Sequence, residues 1–420
     1  MAQRPGRPLR AAFINDWWTP DNVGGAEQTA SECANYLAQN GFDVSAFVPA
    51  DTDSTHRDGP TLVRRVARPA GRSSVHTGRL AHAAEFLSTR LDPRSAFRVA
   101  REVATFRPDV VVVHNAQRMH SALHRALRLA GVDAPVVRVV HDLSDTCWLR
   151  TRFRGGESCE QACLPCRAKR SVAAKTQNGA VSGVVANSRY VAGMLEAAGL
   201  FPDVPTVVGY PGLNRALGLR RGESHRAGTP DRPPTFGFIG RVTAEKGVLV
   251  AVDAMAVLRK SLPTARLVVA GGASGAIQAE LRERAGRLGV PLEILGHTPI
   301  TDFADQVDVA LVPSLWPEPF GRVALELAAL GVPAAVSDRG GLPEAVRAIR
   351  DARVIVVSEV DAGSLAGAAL SLYGAAQERR STGSSTPMAA PQATSLEEAL
   401  LTLVLRALDG LTDHTRAEAR

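Results

Sequence analysis

Short apolar runs, each the length of one strand, recur down this chain and alternate with helix-length stretches. Segments 9–15, 43–48, 110–114, 135–140 and 183–186 form a first series; 235–239, 266–270, 292–295, 309–312 and 334–336 form a second. Such runs lack the in–out alternation of a half-exposed strand, so they read as strands buried on both faces. Helices are expected between them, opening at Gly24-Gly25 and running to about residue 40, then over 94–106, 188–198, 246–262 and 275–288. This βα alternation predicts parallel sheets covered by helices on both faces.

At 420 residues the chain is too long for one ordinary core. The expected organisation is an α/β protein of two doubly wound, Rossmann-like domains facing across a cleft. The first spans 1–215 and carries a Cys-rich insertion at about 145–170. A polar linker follows over 216–234, then a second domain over 235–376. Residues 377–395, rich in Ser, Thr, Pro, Gly and Ala, read as a flexible segment, and 396–420 as a C-terminal helix. Ligands of such sheets sit beyond the carboxyl ends of the strands, so the cleft is the expected site.

The net charge of +7 comes almost wholly from arginine, since lysine occurs four times, at Lys169, Lys175, Lys246 and Lys260. The excess suits anionic ligands, and no nucleic-acid-binding signature accompanies it. No signal-like apolar core follows the N-terminus, and the longest apolar runs are far too short to span a bilayer. A cytoplasmic protein is expected. Arginines over 63–101, interleaved with Leu80, Phe86, Leu87 and Phe97, fit either a solvated helix face or peripheral contact with the anionic inner face of a membrane.

The chemistry concentrates in the segment 317–326, which reads Pro-Glu-Pro-Phe-Gly-Arg-Val-Ala-Leu-Glu. Pro319 biases Glu318 toward extended backbone. Helix is expected from Gly321, so Glu318 falls beside a helix N-terminus, where N–H groups favour anions, and Glu326 lies about a turn and a half inside. One pocket can then offer carboxylates to hydroxyls and amides to phosphate. Gly240-Arg241 ends the strand 235–239, and Lys246-Gly247 follows five residues on. Two cations at a strand end can stabilise a departing diphosphate. Lys246 persists in a chain that otherwise uses arginine, and an ammonium acts as a compact charge for phosphate oxygen.

In the first domain, Gly24-Gly25 lets a ligand approach backbone amides, though it is not a dinucleotide fingerprint. His114 and His141 stand at the ends of two strands near the expected cleft. Cys147, Cys159, Cys163 and Cys166 lie within twenty residues. Their number suggests a structural zinc clip, with redox thiols or simple packing as alternatives. Asp51-Thr52-Asp53 matches a short metal-binding motif and is read as a coincidence.

Together these residues resemble family 4 glycosyltransferases, retaining enzymes with the two-domain GT-B fold. The likeness covers most of the chain. It rests on Gly24-Gly25, His114, His141-Asp142, Asn187-Ser188, Tyr210-Pro211-Gly212, Gly240-Arg241 with Lys246-Gly247, Gly271-Gly272, the Glu318/Glu326 spacing, and Gly340-Gly341 with Glu344. The resemblance implies that the first domain binds an acceptor hydroxyl and the second a nucleoside diphosphate sugar, with no catalytic cofactor. Arg241 and Lys246 would bind the diphosphate, Glu318 the sugar and Glu326 the ribose. Backbone N–H groups of Phe320, Gly321, Arg322 and Val323 would face sugar and phosphate. Gly25 would approach the diphosphate, His114 or His141 the sugar, and Gly296 and His297 the base. Arg322 departs from the small or apolar residue often found there. A nucleotide-sugar epimerase, a phosphorylase or a non-catalytic sugar-nucleotide binder are the other readings.

Overall fold

The computed structural model describes residues 3–4, 7–20, 24–68, 93–117, 119, 121–218, 232–349, 353–382 and 393–418. The chain forms two units. One comprises residues 1–150, 162–211 and 394–420, the other 151–161 and 212–393.

In the first unit the valine runs Val110–Val113, Val136–Val140 and Gly183–Ala186 are buried along their whole lengths. They lie inside an eight-stranded sheet, ordered Thr206–Val208, Gly183–Ala186, Val136–Val140, Val110–Val113, Arg10–Ile14, Asp43–Ala50, Thr61–Ala67, Ser54–Asp58. Every pair is parallel except the last, a hairpin edge. That hairpin is missing from the expected strands. Arg64 and Arg65 interrupt its pattern, yet Val63 and Val66 are buried, and the Arg64 guanidinium covers the rings of Phe47 and Phe106 at 5.7 and 5.8 Å. An arginine can thus occupy a strand by lying over aromatic faces.

Residues 69–92, most of the basic stretch, lie outside the described residues. Further on, the helix Arg94–Phe106 buries Ala96, Val99, Ala100, Val103 and Phe106 and exposes Arg94, Arg98 and Arg101, a solvated basic face. Asp51 pairs with Arg68 at 2.6 Å and Asp53 with Arg98 at 3.1 Å. The Asp-Thr-Asp triplet is thus engaged in local ion pairs.

The C-terminal helix, Leu396–Glu418, joins the first unit. Leu396, Ala399, Leu400, Leu403 and Val404 enter the core beneath strands Arg10–Ile14 and Gly183–Ala186. Tyr210 is stitched to its start: Tyr210 N donates to Thr394 O at 3.0 Å, and Leu396 N donates to Tyr210 O at 3.1 Å. Gly183 exists for this contact, since a Cβ there would sit 2.7 Å from Leu403 Cδ2. Leu403→Ala is expected to destabilise the first unit by about 3 kcal/mol, the usual range for a large-to-small core change. Thermal denaturation would check it.

The second unit holds six parallel strands in the order Leu292–Gly296, Arg266–Ala270, Thr235–Ile239, Val309–Val312, Ala334–Ser337, Val354–Val357. Numbered along this unit the order is 3-2-1-4-5-6, the doubly wound arrangement whose ligand crevice lies where strands 1 and 4 part. The expected helix over 246–262 is instead a 3₁₀ turn, Ala244–Lys246, followed by the helix Val248–Leu258. Gly247, in the left-handed region at φ 74°, separates them. The helix Ala362–Thr382 runs into the segment read as flexible, whose residues 383–392 lie outside the described residues, as does most of the linker. Among the described residues no helix is long and apolar enough to cross a membrane.

Candidate active site

Strands Thr235–Ile239 and Val309–Val312 are adjacent, and both of their carboxyl ends carry expected site residues. After the first comes Gly240, at φ 144°, then Arg241, which is exposed. After the second comes 313–321, which returns past Lys246. Three backbone contacts fix that passage. Leu315 N donates to Glu245 O at 2.9 Å, Gly341 N donates to Glu318 O at 2.7 Å, and Glu318 bridges Gly340 as a short parallel pair. Gly247 permits the approach, because a Cβ there would overlap the Pro313 carbonyl oxygen.

The result is a compact polar cluster. Lys246 Nζ lies 2.8 Å from Glu318 Oε1 and 5.4 Å from the Trp316 ring centroid. Ser314 donates its hydroxyl to the same carboxylate. Glu318 is buried, so a partner is obligatory for its charge, and Lys246 and Ser314 supply it. The helix Arg322–Ala329 begins at Gly321, φ 106°, and its first bonds come from Ala324 and Leu325 N–H. The N–H groups of Arg322 and Val323 therefore precede any intrahelical partner. Glu326 is buried on this helix, 3.7 Å from the Arg322 guanidinium, which also lies against Gly212. Arg322 thus fills its unusual position by neutralising Glu326. Gly271 N donates to Gly296 O at 2.6 Å, and the exposed His297 ring lies over Gly272. The strand ends bearing Gly296 and Gly240 therefore flank the end of Arg266–Ala270, which lies between them.

In the first unit, Gly24 caps the helix Gly25–Gln39, and its N–H meets Glu27 Oε2 at 3.0 Å. His114 Nδ1 lies 2.7 Å from His141 Nε2, with the rings stacked 4.9 Å apart, and His114 stacks in turn on Phe13. His114 is fully buried and His141 is 8% exposed. The inner ring supports the outer one. Burial, then His141 and Arg138, holds His114 well below the ordinary imidazole range, so it is neutral. Asn187 donates to His141 O at 2.7 Å. Burial pushes the Asp142 carboxyl up, but Arg150 at 2.8 Å and Ser144 outweigh it and hold it low.

The described residues do not show the expected zinc clip. Cys147, Cys163 and Cys166 belong to the first unit, Cys159 to the second. Among the described residues no group of three or more His, Cys, Asp or Glu is placed to hold a metal ion. Cys163 and Cys166 approach to 3.4 Å, and Trp148 N donates to Cys166 Sγ at 3.3 Å. Cysteine count could not show that 151–161 forms its own hairpin, Phe153–Arg154 with Glu157–Ser158, tied by Arg152 to the carbonyls of Cys159 and Glu160.

Motif reading also passed over Ser314, Trp316 and Arg138. Arg138 had a signal, a charge in the middle of a valine strand. It donates to Val113 O and pairs with Asp145 at 3.1 Å. Above it, burial chiefly, then Arg138, lowers His124 from 6.5 to about 4. A histidine buried neutral contributes stability above its unfolded value and loses it as pH falls toward the folded one. The first unit should therefore weaken between about pH 6.5 and 4. In melts at pH 7.5 and 5 the wild type is expected to lose more stability than His124→Phe does.

Six parallel strands wound as 3-2-1-4-5-6, with a cation–carboxylate pair at the switch point, and a second parallel sheet of like construction define a GT-B glycosyltransferase. Comparisons agree. Residues 23–217 match the model for Glycosyltransferase Family 4, and 221–385 that for Glycosyl transferases group 1. The chain belongs to glycosyltransferase family 4, enzymes that transfer sugar from a nucleotide-sugar donor. A Mycobacterium tuberculosis glycogen synthase is 26% identical over 370 residues, covering 80% of each chain. The lipopolysaccharide core biosynthesis mannosyltransferase LpsB of Rhizobium meliloti is 34% identical over 139 residues, 32% of this chain and 39% of that one. Among solved structures, Anabaena HepE in complex with UDP and glucose superposes with TM-score 0.63 at 19% identity, covering 96% and 99% of the two chains. Sucrose-phosphate synthase from Thermosynechococcus elongatus gives 0.64 at 18%, covering 98% and 100%.

Proposed function

We propose that the protein is a retaining glycosyltransferase that takes a UDP-sugar and delivers its sugar to an acceptor hydroxyl. The observation that carries the reading is Lys246 held 2.8 Å from Glu318 at the switch point of the second sheet. Arg241 and Lys246 bind the diphosphate and take up the negative charge that grows as the sugar–phosphate bond breaks. The first amides of the helix Arg322–Ala329 add donors for the same group. Glu318 orients the sugar, and Glu326 accepts the ribose hydroxyls. Gly296 and His297 flank the base. The acceptor oxygen bonds to the anomeric carbon on the face the phosphate leaves, and its proton passes to the departing phosphate oxygen, so no side chain becomes a covalent nucleophile. Retention, and the roles of Gly24, Gly25, His114 and His141 toward diphosphate and sugar, rest on the family resemblance. Uridine as the base is supported by the UDP and UDP-glucose complexes of HepE.

A panel of UDP-, GDP-, ADP- and dTDP-sugars, scored by thermal shift and by slow hydrolysis, tests this. A ligand that binds the folded state raises its melting temperature. UDP-sugars should shift it most and be hydrolysed; no shift and no hydrolysis with any of them overturns the reading. A structural zinc is supported by ligand number alone. Metal analysis returning about one zinc per chain, as four-thiolate sites hold, would uphold it, and metal-free protein with intact thiols would remove it.

A further inference from the structure

The register of the first sheet gathers charge on one face at its amino edge. Arg10 lies opposite Asp43, Ser45 opposite Leu62, and Leu62 opposite Arg57. Side chains alternate between the two faces of a strand, so Arg64, two residues beyond Leu62, joins the same face. The helix Arg94–Phe106 packs on that face over Ala12, Phe47 and Val66 and stops at Phe106. Past its last turn the face opens into a cavity of about 290 Å³ within the first unit, whose lining includes Arg10, Asp43, Arg57, Arg64 and Phe106.

The charge of this cavity is unbalanced. Among the described residues, three arginines line it against one carboxylate, an excess of two positive charges. Arg10 is met by Asp43 at 3.4 Å and donates Nη1–H to Phe106 O at 3.1 Å. Arg57 and Arg64 have no carboxylate partner among the described residues. Arg57 is exposed and reaches the Pro60 carbonyl at 3.5 Å. Arg10 and Arg64 both lie against the Phe106 ring, at 5.6 and 5.8 Å from its centroid, which restrains them before any ligand arrives. Cations held together by a fold favour an anion among them. A guanidinium matches paired phosphate oxygens and keeps its charge at physiological pH. The volume is at the small end of ligand cavities, which start at roughly 300 Å³, so the ligand is compact.

We infer that this cavity binds a compact phosphorylated ligand through its phosphate or diphosphate group, with Arg57 and Arg64 as the principal cations. It lies at the amino ends of the strands Arg10–Ile14 and Asp43–Ala50, whereas substrates of doubly wound sheets gather beyond the carboxyl ends. The site therefore serves an effector or an anchor, and is distinct from the Lys246–Glu318 cluster of the second unit. It stands independently of the proposed reaction. A soluble phosphate and a phospholipid headgroup share the chemistry, and the test separates them.

The test titrates inorganic pyrophosphate into the full-length protein by calorimetry. Wild type should show a pyrophosphate site that Arg57→Glu weakens by about tenfold or more, the loss of one charge-assisted contact, and that Lys246→Ala leaves in place. Arg64→Gln should weaken the same site, and it decides if Arg57→Glu fails to fold. Identical uptake in wild type and both arginine variants overturns the inference, as does uptake that Lys246→Ala alone removes. Sedimentation with phosphatidylcholine vesicles, with and without phosphatidate, identifies the source. Binding to phosphatidate vesicles that Arg57→Glu abolishes assigns a lipid headgroup; pyrophosphate uptake lost in Arg57→Glu, without vesicle binding, assigns a soluble phosphate. Arg57→Glu should leave the thermal shift by UDP-glucose unchanged. Absence of that shift in wild type counts against the enzyme reading and leaves this site standing.

Discussion

Lys246→Ala should lower nucleotide-sugar turnover by at least ~100-fold, about the loss that follows removal of one aimed transition-state donor. The geometry says why a single side chain matters so much. Lys246 Nζ is held against Glu318 and over Trp316, so its position is set before any substrate arrives. Removing it also leaves the buried Glu318 carboxylate beside the Ser314 hydroxyl, a poor match for a full charge. Glu326→Ala should reach a similar loss through the donor's ribose and raise KM as well. Steady-state hydrolysis and transfer assays would check both. Near-normal turnover in the two variants would refute the residue assignment while leaving the fold untouched.

Gly247→Ala should be nearly as damaging, for a backbone reason. Two costs combine there. The left-handed φ of 74° strains any residue with a Cβ, by roughly 1–2 kcal/mol. The added carbon would also overlap the Pro313 carbonyl, and such overpacking costs roughly 1–3 kcal/mol more. Gly289 separates the two terms. It has φ 64° but open space around the missing Cβ, so Gly289→Ala should show the conformational cost alone. Melting temperatures of the pair, with UDP-sugar thermal shifts, measure the difference. Gly247→Ala should also lose donor response, because pushing 313–318 away parts Lys246 from Glu318. Equal melting for the two variants would mean that the Pro313 contact yields freely.

Much of the site was legible because its residues are close in sequence to strand ends. Glu318 and Glu326 are eight residues apart, and Arg241 and Lys246 five, so local pattern placed each at a loop–helix junction. Trp316 and Ser314 lay in the same stretch, but nothing local says that a lysine some seventy residues earlier will meet them. The histidines show the same limit. Their matching strand-end positions were readable, while the burial of His114 beneath His141 depended on which strands became neighbours. The hairpin Ser54–Asp58 with Thr61–Ala67 was missed because arginines at 64 and 65 break the apolar pattern that marks a strand, and the aromatic rings that receive Arg64 come from distant elements.

Sequence by itself determined the alternation of buried strands and helices, the two series of them, and the charged residues that end particular strands. Each of these follows from side-chain polarity and chain stiffness over a few neighbouring positions. Tertiary structure alone decided that the last helix returns to the first sheet, that Cys163 and Cys166 approach to 3.4 Å, and that Lys246 faces Glu318. Those outcomes depend on contacts between residues far apart along the chain, whose free energy exists only once the sheets have assembled and water has been excluded from between them.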